Sequence, residues 1–227
     1  MNKIMFNDKY GLTKAVLEGR KTQTRRIITC PREFKGQYVA GFNVYKRVSD
    51  GYISEICMYD ADERAFEGGQ IVPKYRVGEI VAVAQSYKVV SDNISETPSK
   101  EMAEFYCKIM KTCYPKEEIH RDTEDIAGWT NKMFVKAELM PHQIRITNVR
   151  IERLNDISDN DCLAEGVEKI ISEDGTPRYY VKDWKGDTML ATYTPQNAYS
   201  FLIDKVSGKG TWESNPYVFV YDFELIK

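Results

Sequence analysis

The residues with the most chemical potential sit together near the start of the chain, in Gly19-Arg20-Lys21-Thr22-Gln23-Thr24-Arg25-Arg26. Cations bracket two hydroxyls and an amide there, so donors and acceptors converge where a phosphate or carbonyl oxygen can bind. In an extended segment alternate side chains share a face. That places Thr22, Thr24 and Arg26 on one side and Lys21, Gln23 and Arg25 on the other. A hydroxyl such as Thr24 becomes a nucleophile when a base takes its proton. Lys21 serves as that base only where burial or a nearby cation lowers its proton affinity from the usual ~10 toward neutrality. Arg20, Arg25 and Arg26 are sources of such a field. The alternative for the same residues is a solvated basic loop.

The elements around this stretch read as short helices and strands. Asn7 or Asp8 caps a helix running to about Leu17, and Gly19 stops it because glycine tolerates the left-handed conformation that ends helices. Residues 36–75 are rich in Tyr, Gly and charge and read as an irregular hairpin insertion. Arg76-Val77-Gly78-Glu79 is a turn into Ile80-Val81-Ala82-Val83-Ala84, a short buried strand. Residues 91–130 form a second insertion, in which Ser99 caps a helix to about Lys111. Ile144, Ile146, Val149 and Ile151 alternate as in a strand, with a change of phase near Asn148 where a bulge fits. Ser158, followed three residues later by Asp161, opens a short helix in the manner of a capping box, and Gly166 ends it. Residues 171–187 are a third polar, hairpin-like excursion. Thr194-Pro195 starts a helix that Gly208 closes, with Pro at the first helical position, where its missing N–H costs nothing. Residues 217–225 form the strongest strand in the chain.

Composition bounds the function. With 227 residues, the chain is expected to form one elaborated domain over residues 1–227 carrying those three insertions. A 42% hydrophobic and 12% aromatic content is ample for a core. Thirty-two basic against 34 acidic residues exclude a non-specific nucleic-acid coat, which needs a large basic surface, but leave room for a local pocket. No window approaches the roughly 18 apolar residues of a spanning helix, so no membrane partner is expected. Five scattered cysteines, none in a Cys-x-x-Cys pair, fit reduced thiols in a cytoplasmic protein. With only His120 and His142 present, neither a zinc site nor a cofactor is expected.

Several segments together resemble a known family. Residues 15–26 resemble the opening motif of the ASCH family, G-x-K-x-x-T-x-R. In the same order as in that family, residues 76–83 resemble its V-G-D-x-L-x-V strand entry, 144–154 its central strand pair, and 157–167 the helix ending in A-x-E-G. Asn215-Pro216-Tyr217-Val218-Phe219-Val220 resembles the N-P-W-V-W-V finish of longer, often phage-encoded, members. The resemblance implies an α+β fold, a PUA-like mixed β-barrel with short flanking helices, whose cleft takes RNA or a modified nucleoside. Some small members are amidohydrolases that remove an acetyl group from N4 of acetylated cytidine. Their lysine, threonine and glutamate fall by motif position on Lys21, Thr24 and Glu165, and their arginine on Arg26. The catalytic set implied is therefore Lys21, Thr24 and Glu165, with Arg20, Thr22, Arg25 and Arg26 as ligand-binding residues. A non-catalytic RNA-binding module using the same cleft is the alternative.

The chain also departs from the family. Where many longer members have V-x-E-T-W, it reads Ala84-Gln85-Ser86-Tyr87, without that carboxylate and indole. Among the other candidates, His142 is read as a partly exposed turn residue, His120 as solvated, Cys162 as helix-face packing, and Trp212 as packing near the final strand. Trp129 and Trp184 are further aromatics able to stack on bases.

Overall fold

The computed structural model describes residues 1–46, 53–92, 131–133, 135–182 and 191–226. The expected helix at 99–111, and Trp129, Trp184 and His120, lie outside the described residues. The chain divides into two compact units. One comprises Met1–Phe6, Ile80–Ile144 and Ile226–Lys227, the other Asn7–Glu79 and Arg145–Leu225.

In the first unit, β1 (Asn2–Ile4) pairs in parallel with β8 (Ile80–Val83), Lys3 standing opposite Ala82. Val81, Ala82, Val83 and Ala84 are all fully buried, as the uninterrupted apolar run predicts. Lys3 Nζ donates to the carbonyl of Val135 at 2.8 Å, and Lys132 Nζ to that of Phe6 at 2.8 Å. A short helix, α2 (Tyr87–Asp92), follows the strand.

The second unit opens on a 3-10 turn, Asp8–Tyr10, capped by Asn7, and then α1 (Leu12–Leu17). The single helix expected over 7–17 is thus split at Gly11, whose left-handed backbone (φ 63°) cannot continue a helix. Residues 33–46 and 53–71 correct a second expectation. They form a hairpin of β3 (Glu33–Phe34) with β4 (Gln37–Tyr38), then a three-stranded antiparallel sheet of β5 (Gly41–Lys46), β6 (Ile53–Tyr59) and β7 (Ala65–Ile71). Tyr, Asn and Gly occupy its solvent side, which blurs the period-two signal, and register shifts at Tyr45/Lys46 and Cys57/Tyr59 break it further.

β9 (Gln143–Arg153) and β12 (Tyr217–Leu225) fall close to their expected places, whereas the basic stretch, read from sequence as a turn over Arg20 to Arg26, enters a strand, β2 (Gln23–Ile27). Along β9, burial falls on Ile144 and Ile146 and then on Val149 and Ile151, the phase changing across Thr147-Asn148 as the sequence predicts. β2 lies antiparallel to β12, with Thr24 opposite Tyr221. Five strands make one mixed sheet in the order β1-β8-β9-β12-β2, so the fold is α+β. No pairing that closes this order into a barrel is found among the described residues. The remaining elements are α3 (Asp159–Ala164), the antiparallel hairpin of β10 (Glu168–Ile171) with β11 (Pro177–Tyr180), α4 (Pro195–Ser207) and α5 (Thr211–Ser214). α4 starts at the predicted Thr194 cap, whose side chain accepts from the Asn197 N–H. No described helix is long and apolar enough to cross a membrane.

Candidate functional site

Three elements of the second unit build the site. α1 ends with Gly19 (φ 71°), and the backbone N–H groups of Arg20 and Lys21 turn back onto the Ala15 carbonyl, both at 2.9 Å. This places the start of β2 against the end of α3, where the Thr22 N–H donates to the Ala164 carbonyl at 2.9 Å. α3 is capped by the Ser158 hydroxyl, which accepts from the Asp161 N–H as the sequence predicts. The Asp161 side chain is engaged with β2 and β9: it accepts from Gln23, Arg25 and Arg150. Gly166 then leaves the helix with φ 105°, and a Cβ there would stand 3.4 Å from Leu12 Cδ2 and 3.8 Å from Lys21 Cδ. Gly166→Ala is therefore expected to destabilise the protein by about 1–3 kcal/mol, measurable by urea unfolding, because the backbone conformation itself is strained for an L-residue.

Lys21 and Glu165 meet at this junction. Lys21 is 2% and Glu165 4% exposed. The Lys21 ammonium donates to Glu165 Oε2 at 2.6 Å, to the Glu165 carbonyl at 2.8 Å and to the Gln23 carbonyl at 2.7 Å. Its three protons thus have three acceptors. Burial drives the Lys21 pKa below the usual lysine range, and the Arg26 and Arg25 charges push the same way; Glu165 opposes them without reversing the shift.

Arg25 shares the Lys21 face of β2 but does not reach the surface, its side chain being 0% exposed. Nη1 donates to Gln23 Oε1 and, at 3.3 Å, to Glu165 Oε1, while Nη2 donates to Glu152 and, at 3.1 Å, to Asp161 Oδ2. The expectation that Arg25 contacts a ligand is corrected: three carboxylates hold its guanidinium inside the protein. Burial opposes that charge, but Glu165 and Glu152 more than offset it and hold Arg25 protonated.

The face continues outward through residues that the sequence reading did not single out. Arg150 bonds Asp222 at 2.7 Å, Glu152 at 3.1 Å and Asp161 at 3.2 Å. Gln23 Nε2 donates to Asp222 at 2.5 Å and to Asp161 at 3.1 Å. Asn148 Nδ2 donates to Asp222 at 2.8 Å, leaving Asn148 Oδ1 buried without a partner among the described residues. Asn148, Arg150 and Glu152 are spaced two apart on β9. That polar period was legible in the sequence beside the apolar one.

Asp161 is held below the usual carboxylate range. Burial raises it, but the Gln23 hydrogen bond and the Arg25 and Arg150 charges lower it further. A depressed folded pKa means stability present above the unfolded value of 3.8 and lost as the pH falls through the folded one. Asp161→Asn is expected to show a smaller acid loss of stability over that window than the wild type. Equal losses would contradict it.

The remaining predicted residues lie elsewhere. Thr24 is buried opposite Tyr221, on the face of β2 away from Gln23 and Arg25. Its hydroxyl makes no hydrogen bond among the described residues, so it is not joined to Lys21. Arg26 is half-buried and Thr22 exposed. The Arg26 field reaches Tyr75, whose phenol burial pushes up to about 12. Arg20 is exposed and paired with Glu18 at 2.6 Å and Glu168 at 3.2 Å. Cys162 is fully buried and its thiol pushed up to about 12, chiefly by that burial, so it is a packing residue. Trp212 packs edge-on to Tyr199 with ring centroids 6.2 Å apart, and His142 is half-buried.

Comparison with models of protein families, with curated proteins and with solved structures finds no match.

Proposed function

We propose that this protein binds a modified nucleoside of the cytidine type on a PUA-like framework and hydrolyses its N4-acyl amide with Lys21 as the base and Glu165 as its partner. One observation carries the reading. The two motif segments that resemble the ASCH family, separated by 144 positions, contribute a lysine and a glutamate that form a buried pair at 2.6 Å. A lysine whose pKa burial depresses is suited to act as a base near neutral pH.

In this mechanism water attacks the acyl carbon while its proton passes to neutral Lys21, because Thr24 lies on the other face of β2 and is not joined to that lysine. A neutral amine has two N–H donors and one lone pair, so one of the three Lys21 contacts is released to receive that proton. The C–N4 bond then breaks, and the leaving amine takes the proton back from Lys21. The acid leaves as the second product. Glu165 orients Lys21 throughout.

The alternative, a non-catalytic RNA-binding module, is favoured by the saturation of the Lys21 ammonium, which is how a structural ion pair looks. Against it, Arg20, Arg25 and Arg150 are each engaged by carboxylates that a phosphate would have to displace. Titration calorimetry with N4-acetylcytidine and with a single-stranded RNA, at low and high salt, separates the two. Nucleoside binding that is insensitive to salt is expected. RNA binding with a steep salt slope, lost in Arg26→Ala, together with no nucleoside binding, would sink the hydrolase reading.

A further inference from the structure

Arg25 has no role in that mechanism, yet it is a second buried cation on the face that holds Lys21. We infer that Arg25 is a positioning residue for the Lys21–Glu165 pair: it holds Glu165 by Oε1 so that Oε2 is presented to Lys21. The inference rests on the proposed role of that pair as an acid–base centre.

The contacts divide the labour. Glu165 gives one carboxylate oxygen to Lys21 at 2.6 Å and the other to Arg25 at 3.3 Å, so its plane is fixed from both ends. Arg25 is fixed in turn by Gln23 on Nη1 and by Glu152 and Asp161 on Nη2. Its Nε is buried without a hydrogen-bond partner among the described residues, so the Nη contacts alone set its pose. Leaving a buried donor unpaired is costly, and the arrangement retains it. A point-charge ammonium cannot span Glu165, Glu152 and Asp161 at once, which only the planar fork of arginine does. Glu152 and Asp161 also bond Arg150, and Asp161 and Asp222 share Gln23. The orientation of Glu165 is thereby tied to a tier of side chains 19–28% exposed, which a ligand can touch.

Electrostatics runs the same way. The charged groups acting on Lys21 are Glu165 from α3 and Arg25 and Arg26 from β2. Removing Arg25 takes away a cation that disfavours the ammonium and frees the carboxylate that favours it. Both changes raise the Lys21 proton affinity.

The test uses the full chain and two readouts. Lys21 Nζ is titrated by NMR without ligand in wild type, Arg25→Met and Arg25→Lys. The pH–rate profile of N4-acetylcytidine hydrolysis is recorded for the same three. In Arg25→Met the Lys21 titration is expected to move to higher pH. The alkaline rise in rate should follow it, with kcat reduced on the order of 100-fold. KM should stay within about twofold, because Arg25 does not touch the ligand. Arg25→Lys should hold the Lys21 titration closer to wild type without restoring kcat, and if Arg25→Met does not fold, a wild-type kcat in Arg25→Lys overturns the inference. An unchanged Lys21 titration in Arg25→Met, or a loss confined to KM, would also overturn it. A wild type inactive on N4-acetylcytidine would instead defeat the proposed function, and the titration would still decide the place of Arg25.

Discussion

Glu165→Ala is expected to destabilise the protein by about 3–5 kcal/mol at neutral pH. The pair it breaks is almost fully buried, and the substitution strips the Lys21 ammonium of its counter-charge while Arg25 loses one of its three carboxylates. Against a typical total of about 5–15 kcal/mol, that is a large share. Most of the cost is an uncompensated charge and not a lost contact. Replacing both partners by apolar residues, as in Lys21→Met/Glu165→Leu, is therefore expected to recover most of it. Urea unfolding of the single and double variants checks this. A single-variant loss below about 1 kcal/mol, the range of exposed pairs, would mean that the two side chains are not buried together.

Lys21→Met is expected to lower kcat for N4-acetylcytidine by about 100- to 10,000-fold, the range that a positioned acid or base contributes. Lys21→Arg separates chemistry from structure. It keeps the positive charge beside Glu165, but a guanidinium, always protonated at working pH, cannot take a proton from the attacking water. The hydrolase reading predicts that Lys21→Arg retains folding and not turnover. Turnover retained by Lys21→Arg would remove Lys21 from the proton path. Rates are to be compared per folded molecule, since the methionine leaves Glu165 with Arg25 as its remaining cationic partner.

Local signals in the sequence placed much of the fold. Thr194-Pro195, Ser158 and Gly166 mark helix ends by chemistry that acts within one turn, and the structure has them in those roles. The face split along β2 was legible for the same reason, because strand alternation is local. Lys21, Gln23 and Arg25 do share one side, bonding Glu165 and Asp161 across to α3. What the chain opposite that side would contain was not legible. Glu152, Asp161, Arg150 and Asp222 come from three other elements, and their approach to β2 is fixed by packing between distant segments. Lacking them, the basic stretch read as a cationic wall, and Arg25 as a ligand contact; with them, the wall is an alternating lattice of charges. The sheet of β5, β6 and β7 was missed because its period is interrupted by shifts in register.

The most direct test of the central claim is the incubation of purified wild-type protein with N4-acetylcytidine near neutral pH, followed by chromatography for cytidine and acetate. Equimolar release of both, catalytic in protein and lowered at least about 100-fold in Lys21→Met, is the predicted result. No cytidine from this substrate or from a panel of other N4-acylated cytidines would contradict the account, and the Lys21–Glu165 pair would then stand as a structural ion pair.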